Sequence, residues 1–295
     1  MTSASARSVT TAARGRLRAA GPTGLPDRQQ LISTVLDQSG RGGVPIRRTF
    51  LQLNDPDESG NRGSVLAQIV RSRDVAALDA YLVLHAAASS EPWHVSYAAA
   101  VWTRILGFDV NAEPAAARTH WAKVATKLVS LKLIARHRQG NRRSYQLLDE
   151  SGDGTPYERP NSKDEPWFSL PYAYWRDGHH IQLSLAEKAM LLIVIDQRAG
   201  HSLPYERMPS WYGISASTAK RGFTGLAAKG LISSETDWRV DPKSPIGWAE
   251  VRRYTPQGAF AADARRAAMQ VRPKKSKPVM FLDQDDENAV PGVSP

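Results

Sequence analysis

The sequence predicts a mainly α protein with small antiparallel sheets (α+β), built as two similar units in tandem between disordered ends. Three observations lead there. Apolar residues recur at helical spacing in several separate stretches, and the last helix of each half runs into short strands. The stretch from Gly213 to Ile232 carries a full set of helix start and stop signals. A segment of the first half lies over this stretch without a gap.

In Gly213–Ile232, Gly213 and Ile214 form a tight turn, and Ser215 is placed to cap a helix by accepting a free amide proton. Ala219, Phe223, Leu226 and Ala227 make one apolar face. Ser217, Thr218, Lys220, Arg221 and Thr224 fall largely outside it. Gly230 suits a left-handed stop, after which Leu231 and Ile232 open a strand. A short polar helix ending in Gly-Leu-Ile resembles the recognition helix and first wing strand of the winged-helix superfamily. The resemblance implies two winged-helix domains in tandem, a fold used for duplex recognition and in other members for protein contacts.

In chain order, residues 1–44 are rich in Ser, Ala, Arg and Gly and read as a mostly disordered basic arm with a short helix near Asp27–Leu36. The first domain spans 45–150. It opens with a strand at Thr49–Leu53 and a loop at Asp55–Gly63. Helices follow at Asp74–Ala88, Val95–Leu106 and Pro114–Leu131, the last with proline where an amide would be unpaired anyway. Strands at Ile134–Arg138 and Arg143–Leu148 flank a basic turn. Residues 151–166, rich in Gly, Pro and charge, read as a linker. The second domain spans 167–270. It has strands at Trp167–Leu170 and His180–Leu183, then a capping box, Ser184 with Glu187, before an apolar helix at Leu185–Ala199. A short helix at Glu206–Tyr212 precedes the stretch already described. Strands Leu231–Val240 and Trp248–Tyr254 enclose a wing, and a helix within Arg253–Gln270, with Phe260 and the Ala-rich run, closes the domain. The tail, 271–295, is polar. Its Val279–Leu282 cluster followed by acids reads first as ordinary disorder, and it also resembles a docking peptide for a protein partner around Phe281.

The repeat is legible residue by residue. Thr126–Ile134 lies over Thr224–Ile232, and Thr, Leu, Leu and Ile coincide. The first copy departs in having Lys132 where the second has Gly230, and in a longer turn before its third helix.

Charge points to the partner. The chain has 295 residues and a formal net charge of +10, which favours polyanions. Ala115–Leu148 holds Arg118, Lys123, Lys127, Lys132, Arg136, Arg138, Arg142 and Arg143 and no acidic residue. One sign of charge on a helix and the hairpin after it is the footprint expected for a phosphate backbone. In the second copy Ser217, Thr218, Lys220 and Arg221 are expected at base edges, with Arg221 first for guanine. Lys243 and Arg252 are expected on flanking phosphates. A strand alternates its faces, so Arg143 and Arg253 are expected to be the inward members of the Arg142–Arg143 and Arg252–Arg253 pairs. Among the tryptophans, Trp121 alone stands inside the basic run as a stacking platform for bases.

Other classes find little support in the sequence. There is no cysteine, which excludes disulfides and thiolate zinc sites. No apolar run reaches the ~20 residues that span a bilayer. Asp177, His179 and His180 do not make a convincing metal set, because neighbours in a strand point apart. No phosphate-binding glycine loop, nucleophile elbow or His-Glu-x-x-His is present. The expectation is a cytoplasmic, nucleoid-associated DNA-binding protein without cofactor, metal or enzymatic activity. It is expected to be a transcriptional regulator, with a plasmid- or phage-type replication initiator and a protein-interaction scaffold as alternatives. The Pro171–Arg176 segment resembles uncharacterised actinobacterial helix-turn-helix proteins.

Overall fold

Asp27 caps the first described helix by accepting the Gln30 amide proton at 2.7 Å while the Gln30 side chain accepts from the Asp27 amide. This reciprocal box opens α1 (Arg28–Ser39), whose Leu31, Ile32, Val35 and Leu36 are buried. The computed structural model describes residues 25–56, 62–139, 142–161 and 165–270. The expected short helix near Asp27–Leu36 is present as α1, and the expected arm is corrected only beyond it: residues 37–44 are folded as well. The N-terminal part of the arm and the tail with its Phe281 cluster lie outside the described residues.

β1 (Gly43–Arg47) and a 3-10 turn at Arg48–Phe50 follow. The expected strand at Thr49–Leu53 is thus displaced towards the N-terminus, because Phe50 and Leu51 both turn into the core. α2 (Val65–Arg71), which the sequence pattern did not reveal, precedes α3 (Val75–Ala87), β2 (His94–Val95), α4 (Ala99–Leu106) and α5 (Pro114–Ser130). β3 (Ile134–Gln139) and β4 (Arg142–Leu147) complete a three-stranded antiparallel sheet of order β2-β4-β3. After β5 (Trp167–Pro171) come two short turns of helix, α6 (Ala173–Arg176) and α7 (His179–Gln182). The second of these replaces the expected strand at His180–Leu183. Gly178 at φ 75° reverses the chain there, and the His180 ring turns inward.

α8 (Leu185–Asp196) begins at the expected Ser184/Glu187 box. β6 (His201–Ser202), α9 (Met208–Tyr212), α10 (Ala216–Ala228), β7 (Ile232–Val240) and β8 (Trp248–Pro256) follow. Their sheet has the order β6-β8-β7. α11 (Ala262–Gln270) ends the described chain, after Phe260 has been buried. Both halves therefore run helix, strand, helix, helix, strand, strand, with the first strand pairing the third. The ends of α5 and α10 agree in detail. Leu133 N donates to Leu128 O at 3.1 Å, and Leu231 N to Leu226 O at 3.0 Å. Lys132 adopts the left-handed φ of 54° that Gly230 adopts at 68°. The departure at Lys132 is thus in residue type and not in backbone.

Residues 151–166 do not separate two cores. β1 pairs antiparallel with β5 across them, from Gly43 opposite Pro171 to Arg47 opposite Trp167. Glu150 is fully buried, accepts from Arg47 Nη1 at 2.7 Å and lies 3.3 Å from His85 Nε2. Arg47 Nη2 also donates to the Glu158 carbonyl at 2.7 Å, and Tyr157 is buried. Burial alone would raise the Glu150 pKa, but His85 and Arg47 hold it below the usual value. A charge this deep is tolerated only when so paired. Buried apolar residues of both halves form one continuous cluster.

Candidate nucleic-acid interface

The basic run lies on α5 and the β3–β4 hairpin. Ala117, Trp121, Val124, Ala125 and Leu128 bury one face of α5. The opposite face leaves Arg118, Lys123 and Thr126 exposed, with Lys127 half-buried at its edge. Arg136 Nη2 donates to Thr126 Oγ1 at 3.1 Å, so the helix face and the hairpin form one surface. On the hairpin, Arg138 and Arg143 are exposed and stand directly opposite each other across the strands. Like charges so placed destabilise a strand pair. Phe108, just after α4, stacks on His120 of α5 with ring centres 4.0 Å apart.

The second surface is α10. Ser215 Oγ accepts the Thr218 amide at 3.2 Å and donates to Thr218 Oγ1 at 2.9 Å, fixing the first turn. Ala219, Gly222, Phe223 and Leu226 face inward, and Phe223 stacks on Tyr254 with centres 4.2 Å apart. Ser217, Lys220, Arg221 and Thr224 are exposed. Close packing on α8 sets the height of this helix. A Cβ on Gly222 would stand 2.5 Å from the Ala186 carbonyl oxygen, and one on Gly225 would meet the Glu187 carboxylate. The glycines weaken the helix in isolation, but they let two backbones approach.

The N-terminal turns of α10 also form one wall of a cleft of about 1100 Å³ between the halves. Arg28, Arg73 and Phe108 stand on the first-half side, with Lys188, His180 and Arg221 on the other. Lys188 Nζ donates to both oxygens of Asp79, at 2.6 and 2.7 Å. Burial pushes the Asp79 pKa up and the Lys188 pKa down, and each partner opposes this by favouring the charged form of the other. His180 is 3% exposed, and its ring nitrogens make no well-formed hydrogen bond, although the Tyr174 backbone is near enough to favour the charged ring. Burial, with Arg28 and Lys188 nearby, lowers its pKa to about 4, with the Tyr174 backbone opposing. The ring is therefore neutral at pH 7.

No family model matches this chain, and no curated protein and no solved structure matches it.

Most of the expected contact residues are accessible: Arg118, Lys123, Arg138, Arg143, Ser217, Lys220, Arg221 and Lys243. Thr218 is half-buried and occupied by the cap. The Arg142 side chain lies outside the described residues. Arg143 is exposed, which corrects its expected inward orientation. Arg253 is exposed too, and Arg252 is the inward member of its pair. Arg252 lies over the Tyr205 ring at 5.1 Å, donates to Tyr205 Oη at 2.9 Å and pairs with Glu250. These structural partners remove it from the phosphate set. Trp121 is also corrected: it is 2% exposed and stacks on Trp102 at 4.9 Å, so it is core and no base platform. The exposed tryptophans are instead Trp238 and Trp248, on one face of the β7–β8 hairpin. Sequence reasoning missed the cleft, because its ion pair joins residues 109 positions apart. Among the described residues no group of three or more His, Asp or Glu could hold a metal ion, and no helix is long and apolar enough to cross a membrane.

Proposed function

We propose that this chain binds duplex DNA through two winged-helix units, with α5 and the β3–β4 hairpin supplying phosphate contacts and α10 reading bases. The observation that carries the reading is the single-sign surface formed by Arg118, Lys123, Arg136, Arg138 and Arg143. A phosphate backbone would neutralise it. The matched element order of the two halves adds support, as does the exposure of Ser217, Lys220 and Arg221 on a capped helix. The activity is recognition and not catalysis, its place the nucleoid and its role transcriptional regulation. Replication initiation is a second reading. The exposed Trp238, Val240, Ile246 and Trp248 at the β7–β8 tip favour further protein contacts, as an initiator or a scaffold would need.

The test is fluorescence anisotropy with random and genomic duplexes over a range of salt. Several neutralised phosphates give a log–log slope of about −0.9 per phosphate. Absence of binding to any duplex at low salt would sink the reading. Genome-wide capture then separates promoters from a single origin.

A further inference from the structure

The cleft between α3, α7, α8 and the start of α10 has a chemistry that DNA contact does not explain. It carries four cations, Arg28, Arg73, Lys188 and Arg221, and one acid, Asp79. Asp79 is spent on Lys188. The remaining balance is positive: four cations less one acid leaves three charges. Arg28 is held by its Nε donating to the Ile105 carbonyl at 2.9 Å, so its position is fixed before anything binds. Arg73 and Arg221 have exposed side chains with no ion-pair or hydrogen-bond partner among the described residues. Exposed apolar side chains flank the same space, Val75 at 40% and Ile181 at 57%. The His180 ring, more than nine-tenths buried, stands in the wall behind this surface, and neither of its nitrogens makes a well-formed hydrogen bond. Buried polar atoms without partners are rare in folded proteins and often mark a missing ligand or water. Capture of an organic ligand typically combines an apolar surface with a few converging polar groups.

We infer that this cleft binds a small organic anion, a phosphate or carboxylate on an apolar body, and that its occupation withdraws Arg221 from DNA. The anionic group meets Arg73 and Arg221 beside the first turn of α10, where Ser217 and Thr218 also line the space. The apolar body lies on Val75 and Ile181, with His180 as a neutral hydrogen-bonding group. The antagonism rests on the DNA reading above, while the binding site does not. Because Arg221 belongs to both surfaces, ligand and DNA each weaken the other by the same factor.

The test uses the full chain with 8-anilinonaphthalene-1-sulfonate as an aromatic anionic probe and pyrophosphate as competitor. The expected result is one probe site per chain, displaced by pyrophosphate and weakened at least tenfold in Arg73→Gln and Arg221→Gln. His180→Phe, which keeps the ring volume, also weakens it, whereas Arg266→Ala, on α11 and outside the cleft lining, leaves it unchanged. Circular dichroism checks that each variant is folded. Several probe sites, or equal affinity in all variants, overturns the inference. So does a pattern in which Arg73→Gln weakens duplex binding but not probe binding, since the cleft would then be part of the DNA groove. Saturating probe is expected to weaken duplex binding at least tenfold, and an unchanged duplex affinity overturns the antagonism. If wild type binds no duplex at all, the DNA reading falls, and the probe titration alone still decides the cleft.

Discussion

Replacing Gly222 by alanine sets two effects of opposite sign against each other. In an exposed helix the change would stabilise by about 1 kcal/mol. Here the new Cβ would meet the Ala186 carbonyl oxygen at 2.5 Å and its carbon at 2.9 Å. Both are backbone atoms of α8, so no rotamer change relieves them. Reaching an ordinary contact of 3.4 Å requires the helices to part by 3.4 − 2.5 = 0.9 Å. Parting also loosens Met190 and Phe223, which are buried in the same interface. Overpacking of this kind costs about 1–3 kcal/mol, so Gly222→Ala is expected to be destabilised by about 1 kcal/mol net. Gly225→Ala is the matched control. Its Cβ meets only side-chain atoms of Glu187, from Cγ to Oε1, which a rotamer change can move at the expense of the bond to Ser184. The helix gain then offsets a weakened capping box, worth about 0.5–2 kcal/mol, and the net is near zero. Urea unfolding of the three proteins reads the difference as a shift in midpoint at constant slope. A Gly222→Ala protein as stable as wild type or more so would refute the reasoning, because propensity would then outweigh packing.

Further expectations concern charge. Lys188→Met leaves Asp79 partly buried without its partner and is expected to cost about 3–5 kcal/mol, while Lys188→Met with Asp79→Leu recovers most of it in the same unfolding assay. Stability is expected to fall as pH drops. His85 and His180 have folded pKa values lowered chiefly by burial, the latter to about 4. Their contribution is complete above the unfolded value of about 6.5 and is lost as pH falls through the folded one, at up to about 1.4 kcal/mol per pH unit for each. Thermal melts between pH 7 and pH 4 check this, and a melting temperature that rises on acidification would contradict it. Arg118→Ala with Lys123→Ala should reduce the salt slope of duplex binding by about 2 and weaken all sequences alike. Lys220→Ala with Arg221→Ala should instead narrow the gap between specific and random duplex by about 1–3 kcal/mol for each bidentate base pairing removed. Unchanged specificity would remove α10 from base reading.

Local chemistry made much of the fold legible. Ser215 and the Ser184/Glu187 box through bonds to near neighbours, Pro114 through its missing amide and Gly107 through its left-handed φ each declare a helix end, and the structure places helix ends at all of them. The α10 face was legible for the same reason, since Ala219, Phe223 and Leu226 are spaced by the helix itself. Illegible elements owe their state to distant partners. β1 exists because β5 pairs with it across more than a hundred residues. α7 replaces an expected strand because the His180 ring is drawn into the wall of the cleft. Arg252 and Arg253 exchange their expected faces because Tyr205, nearly fifty positions away, holds Arg252.

Residues within a few turns of one another were enough to define the helices with strong end signals, the repeated order of elements and the concentration of one charge sign between Ala115 and Leu148. Three features came only with the folded arrangement: the two halves share one core, Trp121 lies inside it, and Asp79, Lys188, His180 and Arg221 surround one cleft. Burial and charge pairing act through space. A pair such as Asp79 and Lys188 leaves no mark in the local sequence until the chain has brought α3 against α8.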